Sequence, residues 1–287
     1  MKHFLIYTNR HKDKDMATAG YIRSYLEEKG QQVSVRAEED ERKEPDRAEA
    51  MYFDEIPSDA DCMIVLGGDG TMLRAARKIV KLNIPMIGVN LGTLGYMTEI
   101  EPASLEEALD RLIEGDYEQE SRMMLMGRVY SKAGQRSEDW ALNDIVISRS
   151  GSLQIIKFNI YVNGQFLNDY NADGMIVTTP TGSTGYNLSA GGPLVEPRAK
   201  LIMLTPICPH TLNQRSIILS PEDVIEIEIP QGRDERVQTV EASFDGSHVV
   251  PLRTGDRLRI VKSEKMTEFI HLNQVSFLEV LHKKMAE

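Results

Sequence analysis

Cysteine is scarce: the 287 residues contain two, Cys62 and Cys208. Two thiols far apart in sequence, in apolar or Pro-rich stretches, make neither a disulfide framework nor a zinc site. They are expected as reduced core residues of a cytosolic protein. An excess of positive charge is also missing. Lys and Arg number 33 against 44 Asp and Glu, a formal charge of −11, so the chain lacks the electrostatic footprint of a partner for nucleic acid or an anionic membrane. No apolar run reaches the length of about 18 residues that a membrane span needs. Met1-Lys2-His3-Phe4 leads straight into a strand-like segment, without a signal-peptide core, and a cytoplasmic location is expected. Also absent are an internal repeat, a low-complexity tract, a His/Cys cluster at metal-ligand spacing, and an arguable Ser-His-Asp order.

What remains is ordinary globular composition, with 41% hydrophobic and 27% charged residues, in a length that suggests about two domains. Phe4–Thr8 and Val33–Arg36 read as strands. Between them Met16, Ala19, Ile22 and Leu26 recur at helical spacing up to a stop at Gly30. Glu38–Glu49 is dense in charge and reads as a solvated or mobile segment. Cys62–Leu66 is an apolar strand, Thr71–Lys81 a helix and Ile84–Val89 a strand. Ser104 with Glu107 is expected to form a capping box for a helix that ends before Gly115. This alternation predicts an α/β N-terminal domain with a parallel open sheet over 1–121. Beyond about residue 122 the helical period mostly disappears. Met124–Tyr130, Trp140–Ser148, Ile155–Val162 and Val224–Ile229 are strand-like, and Asn163-Gly164 and Asp245-Gly246 signal hairpins. A β-rich C-terminal domain is expected over 122–267. Val275, Leu278, Val280, Leu281 and Met285 suggest an amphipathic helix in a tail, 268–287, that returns to the first domain.

Two segments carry chemistry. Gly67-Gly68-Asp69-Gly70-Thr71 joins an apolar strand to a helix, where glycines admit an anion to the backbone and the helix N-terminus offers free N–H groups. Asp69 has two readings there: it N-caps the helix, or it takes the proton of an acceptor hydroxyl beside the phosphates. The second segment runs from Asp173-Gly174 through Thr178-Thr179-Pro180-Thr181-Gly182-Ser183-Thr184-Gly185-Tyr186-Asn187-Leu188-Ser189 to Gly192-Pro193. It is either a Gly/Ser-rich connector or a loop whose hydroxyls and N–H groups suit phosphate and ribose oxygens, with Tyr186 placed to stack on a base. It lacks the Gly-Lys-Ser/Thr ending of a Walker A loop. Asn143-Asp144, inside an apolar stretch, is a bulge, an edge position or a ligand contact. His210, in the turn of Pro206, Cys208 and Pro209, reads more readily as a satisfied structural histidine than as a catalyst.

The ordered set GGDGT at 67–71, NLGTLGYM at 90–97, LNDIVISR at 142–149, ADGMIVTTPTGSTGYNLSAGGP at 172–193, TPICPHTL at 205–212 and FDGSH at 244–248 resembles bacterial NAD kinases across most of the chain. GGDG alone occurs in lipid kinases and phosphofructokinases as well; the later blocks are more specific. The resemblance implies phosphorylation of the 2′-hydroxyl of the adenosine ribose of NAD to give NADP. ATP or polyphosphate would be the donor, with Mg²⁺ or another divalent cation, in a homo-oligomer (dimer or tetramer). It implies Asp69 as general base and Gly67, Gly68, Gly70 and Thr71 as the phosphate loop. Tyr96 would lie near the adenine, Asn143 and Asp144 at the adenosine, Asp173 at the nicotinamide end and Asp245 at the site edge. Gly70, Thr184, Gly185, Tyr186 and Ser189 complete the implied NAD contacts. Three departures stand out: Asp144 where the family has Glu, Gly185 where Ala is common, and Asn171 where many members have Arg. The last bears on discrimination between NAD and NADH. A GGDG-type lipid kinase and a catalytically silent dinucleotide sensor are the alternatives; an assay for NADP separates them.

Overall fold

Residues 1–38, 56–93, 95–151, 155–210, 215–232, 235–273 and 276–286 are described by a computed structural model. The charge-dense stretch from 39 to 49, Leu94, Thr211, Leu212 and Val275 lie outside the described residues. The chain divides into two units, 1–121 with 267–287, and 122–266.

In the first unit the elements run β1 (His3–Thr8), α1 (Ala17–Glu28), β2 (Gln32–Ala37), β3 (Cys62–Gly67), α2 (Asp69–Ile79), β4 (Met86–Asn90) and α3 (Leu105–Glu114), and β5 (Glu118–Ser131) begins there. The strands pair in parallel in the order β2-β1-β3-β4. All six residues of β1 and of β3 are buried, as strands covered on both faces must be. The helices supply that cover. Ala19, Ile22 and Leu26 of α1 and Leu105, Leu109 and Leu112 of α3 join Phe4, Ile6, Ile64 and Leu66 in one core. Gly30 (φ +79°) and Gly115 (φ +82°) take left-handed positions after α1 and α3, where a Cβ would be strained. The capping box does not form. Pro102–Ser104 is already a 3₁₀ turn, and the Ser104 hydroxyl donates back to the Glu101 carbonyl at 3.2 Å. Ser104 is therefore not in the extended geometry that an N-cap side chain needs, and no side chain caps α3.

The second unit holds most of β5, then β6 (Gly134–Ala141), β7 (Asp144–Arg149), β8 (Ile156–Val162), β9 (Gln165–Ala172), β10 (Gly174–Thr178), the single turn α4 (Tyr186–Ser189), β11 (Ile202–Ile207), β12 (Ile217–Leu219), β13 (Ile225–Glu228), β14 (Thr239–Phe244), β15 (His248–Arg253) and most of β16 (Arg257–His271). One antiparallel sheet has the order β12-β11-β10-β7-β14-β15, and β16-β13-β8-β9 run side by side in another. Their inner faces, including Ile145, Ile147, Met175, Val177 and Phe244 on one side and Phe158, Ile160, Ile225, Ile227 and Ile260 on the other, form one core. Both hairpin signals produce left-handed turn residues, Asn163 (φ +53°) with Gly164 (φ +76°) and Asp245 (φ +48°) with Gly246 (φ +67°), the backbone of a type I′ turn. Trp140–Ser148 is not one strand. The chain breaks at Leu142-Asn143, between β6 and β7.

The tail forms α5 (Phe277–Met285), N-capped by Ser276, whose hydroxyl accepts from the Glu279 amide. The helix buries no residue fully, and Leu278 and Met285 point to solvent; Phe277, Val280 and Leu281 carry its partly covered face. The cysteines also differ from expectation. Cys62 is buried in β3, where burial pushes its thiol up, but Cys208 is an exposed free thiol at a left-handed turn (φ +45°) and not a core residue.

Candidate active site

In the first unit the Gly67–Thr71 turn lies at the C-terminal end of β3. Gly68 occupies the N-cap position of α2, and no side chain caps the helix. The Asp69 carboxylate does something else. Its Oδ2 accepts the Tyr96 amide at 2.8 Å and its Oδ1 the Met97 amide at 3.0 Å. The helix-cap reading is therefore replaced: Asp69, half-buried at the first position of α2, fastens the loop after β4 to the glycine turn. Both oxygens keep a lone pair for a further donor. Gly95 makes this possible, because a Cβ there would begin 2.1 Å from Asp69 Oδ1 and 2.9 Å from Thr98 Oγ1. The Thr71 hydroxyl is buried beneath Gly67 without a hydrogen-bond partner among the described residues, and the hydroxyl of Thr98, a residue beside Gly88 and Gly95, is likewise buried and unpartnered there. Thr71 therefore lies under the turn, while Gly70 is exposed on it. The Tyr96 ring packs 6.3 Å from that of Phe277, and Lys284 Nζ lies 5.0 Å from its centroid. Burial, then the Asp69 charge, raises the Tyr96 phenol.

In the second unit Asp245, at the tip of the β14–β15 hairpin, organises the β6–β7 junction. Its Oδ2 accepts the Leu142 amide at 2.8 Å; its Oδ1 accepts those of Asn143 at 2.8 Å and Asp144 at 3.1 Å. The Asn143 carbonyl accepts the Thr179 amide and the Thr178 hydroxyl, each at 2.9 Å. The backbone of Asn143 is thus held from both sides, while its side-chain Oδ1 is buried without a partner among the described residues. Asp144 is 6% exposed. Burial, then the charge of Asp245, pushes its carboxyl up to about 7. A carboxyl that exchanges its proton near neutrality can both accept from and donate to a ligand hydroxyl.

The Ser/Thr block is less available to a ligand than its composition implies. Thr179 Oγ1 donates to the Leu142 carbonyl at 2.6 Å, and Ser183 Oγ to that of Val195 at 3.0 Å. Asn187, fully buried, donates to the carbonyls of Ser183 and Pro193 and accepts from Thr205. Ser183 and Asn187 close the loop on itself, while Thr179 ties it to the β6–β7 junction and Asn187 to Thr205 of β11. Gly182 is needed for that closeness, since a Cβ would begin 2.5 Å from the Asn143 carbonyl oxygen. Gly185 is not: a Cβ there would meet Asn143 Nδ2 at 3.4 Å, ordinary contact. Tyr186 and Ser189 are exposed. Thr184, partly exposed, makes a long 3.4 Å bond to the Thr181 carbonyl. Asp173 faces Arg149, 3.5 Å from carboxylate to guanidinium. Beside that pair a cavity of about 890 Å³ is lined by Arg149, Lys157, Asn171, His210 and Arg236, among others. His210 is exposed there and not a satisfied buried residue. Composition and spacing single out neither Gly95 nor Arg149. Close approach of the two loops after β3 and β4, the only signal for Gly95, is a tertiary fact.

Known proteins match over the full length. Residues 7–117 match the ATP-NAD kinase N-terminal domain and residues 142–272 the ATP-NAD kinase C-terminal domain. An NAD kinase of Agathobacter rectalis is 47% identical over 285 residues, covering 99% of either chain. A crystal structure of an NAD kinase from Archaeoglobus fulgidus in complex with ATP superposes with a TM-score of 0.77 at 26% identity, over 100% of both chains. A yeast NADH kinase complexed with NADH gives a TM-score of 0.82 over 100% of this chain and 88% of its own; at 24% identity that likeness is one of fold.

Proposed function

This chain belongs to the NAD kinase family, and we propose how its residues divide the work of that reaction. An NAD kinase moves the terminal phosphoryl group of ATP to a hydroxyl of NAD and yields NADP. In our reading the acceptor is the 2′-hydroxyl of the adenosine ribose. A secondary alcohol is a poor nucleophile until its proton can leave, and the transferred group passes through a loose transition state, so the protein mainly positions and neutralises. Asp69 takes the proton on a lone pair that the Tyr96 and Met97 amides leave open. The turn of Gly67, Gly68, Gly70 and Thr71 receives the donor phosphates. Asn143 and Asp144 hold the adenosine, and Asp245 positions them. Thr184, Gly185, Tyr186, Ser189 and Tyr96 are further NAD contacts, and Asp173 serves the nicotinamide end.

A divalent cation fits this arrangement as a companion of the donor. Among the described residues no three His, Cys, Asp or Glu side chains converge as a metal cage. Mg²⁺ at nucleotide sites keeps several waters and is held by one or two carboxylates plus phosphates. Asp69, the one carboxylate of its turn, is kept for the proton, so the cation would be carried by the donor's phosphates and by water. The cation would neutralise phosphate charge. Polyphosphate as a second donor, a cytoplasmic location and a homo-oligomer belong to the same proposal. Among the described residues no helix is long and apolar enough to cross a membrane. For association, Phe166 and Leu167 are exposed on the edge strand β9, the kind of edge that pairs unless it is covered.

The observation that carries the reading is the placing of Asp69: at the head of α2, not capping it, held by two amides. Asp69→Asn in an NADP-forming assay is expected to lower kcat by about 10²–10⁴-fold with little change in NAD affinity. Near-normal turnover would reduce Asp69 to a fastener of the 95–97 loop.

A further inference from the structure

The order β2-β1-β3-β4 reverses direction between β1 and β3. At such a switch point the loops after the two strands diverge and leave a crevice outside their carboxyl ends. The loop after β3 is the glycine turn with Asp69. The loop after β1 is Asn9–Asp13, which no motif marks. It is rigidly made. The Asn9 amide donates to the Leu66 carbonyl at 3.2 Å, which ties this loop to the end of β3. The Asn9 carbonyl accepts the Lys12 and Asp13 amides, and Asn9 Oδ1 those of His11 and Lys12. Asp13, 2% exposed, accepts from the Thr8 hydroxyl and from the Thr18 and Ala19 amides at the start of α1.

The result is a fixed backbone at Lys12. Its Nζ lies 2.8 Å from where a Cβ of Gly68 would begin and 3.9 Å from where one of Gly92 would. The Leu91 amide, in turn, donates to the Gly67 carbonyl at 2.9 Å. The ammonium therefore stands over the glycine turn and beside the loop after β4. It has no hydrogen bond or ion pair among the described residues, and Lys12 is otherwise exposed. A cation with no acceptor among the described residues, above a backbone stripped of side chains, is placed for an anion. The need is plain, since the turn carries its own carboxylate, the chain carries −11, and the donor is a polyanion.

We infer that Lys12 is the phosphate-binding cation of the glycine turn, bonding the donor's phosphate oxygens as they seat on Gly68. This rests on the reading of that turn as the donor site. It differs from a Walker arrangement in that the ammonium comes from the loop after β1 and not from the helix after the glycines. Lysine suits the role as a point charge with three donors.

The test uses the intact protein and tripolyphosphate as a probe of the donor site, by calorimetry with and without Mg²⁺, beside steady-state kinetics. Lys12→Ala is expected to weaken tripolyphosphate binding and lower kcat/KM for ATP by about 10–100-fold, the span of a lost charged hydrogen bond. KM for NAD should stay within about two-fold and Tm should be unchanged; Lys12→Arg, which keeps the charge, should recover most of the loss. Asp69→Asn should bind tripolyphosphate and fail in turnover. Equal tripolyphosphate affinity in wild type and Lys12→Ala overturns the assignment of Lys12 and leaves the glycine turn standing. Loss of Tm in Lys12→Ala that Lys12→Arg does not restore overturns it too, in favour of a structural role. Absence of tripolyphosphate binding in the wild type overturns both.

Discussion

Asn143 presents a buried side-chain oxygen with no partner among the described residues, and a backbone held by Asp245 on one side and by Thr178 and Thr179 on the other. An orphaned polar atom costs stability unless something arrives to bond it. Asn143→Ala is therefore expected to weaken NAD binding by about 1–3 kcal/mol in calorimetry while leaving the fold intact. Unchanged affinity would make the residue a piece of the β6–β7 junction only. A second residue-scale outcome concerns Asn171, which is exposed on β9. Read alone, its neutrality suggests that the site lacks a charge able to tell the oxidised, cationic nicotinamide from the reduced one, and so predicts measurable turnover of NADH. The structure shows that a guanidinium is already nearby, because Arg149 faces Asp173 at 3.5 Å. Asn171→Arg thus adds a second positive charge rather than a first. The expected change in the ratio of kcat/KM for NAD and NADH is about two- to ten-fold, a Coulomb difference of roughly 1 kcal/mol. Side-by-side kinetics check it. An unchanged ratio removes Asn171 from specificity, and strict use of NAD by the wild type refutes dual use.

Between elements, the glycines separate into those that contacts demand and those that they do not. Gly95 lets the loop after β4 lie against Asp69, and Gly182 lets the loop after β10 lie against the Asn143 carbonyl. Gly95→Ala and Gly182→Ala should each cost about 1–3 kcal/mol of stability, the range for overpacking. Gly95→Ala should in addition lower kcat, since the added Cβ displaces Asp69. Gly185→Ala meets only ordinary contact and should leave stability within about 0.5 kcal/mol in the same denaturation series. Similar losses at all three positions would contradict the close approaches described. Strands β1 and β3, helices α1 and α2 and the two type I′ hairpins were readable from residues because each follows from local period or turn chemistry. The Ser104–Glu107 capping box misled for a local reason as well: Pro102 starts a 3₁₀ turn two residues earlier and takes Ser104 out of cap geometry. In the Thr178–Asn187 block composition gave no way to tell hydroxyls that bind a ligand from hydroxyls spent on neighbouring strands. Only the tertiary placing of the Leu142 and Val195 carbonyls and of Thr205 decides that.

Global stability should carry the signature of one carboxyl. Asp144 titrates at about 7 when folded, raised first by burial and then by Asp245; unfolded it titrates near 3.9. Between these values the folded chain holds a proton on Asp144 that the unfolded chain has lost, so this group's contribution to stability falls as pH rises from about 4 to about 7 and is level above. Asp144→Asn removes that loss. Its Tm should exceed that of the wild type by a margin that grows from pH 5.5 to about 7 and then stays constant, on the order of a few kcal/mol in free energy at the plateau. A margin independent of pH over that range would show that Asp144 is not the group responsible. NAD bound to both proteins would distinguish ligand effects from folding.

What the sequence determines alone is what depends on neighbours along the chain. Those features are the parallel α/β unit followed by β structure, the glycine turn between an apolar strand and a helix, the hairpin tips, and, by resemblance, the family. Tertiary structure decides whatever depends on distant residues meeting. Asp69 bonds amides at 96 and 97, Asp245 bonds amides at 142 to 144, and Lys12 stands over Gly68. A carboxylate reads the same in a sequence whether it caps its own helix or fastens another loop. The difference lies in which N–H groups the fold brings within 3 Å, and no spacing along the chain encodes that.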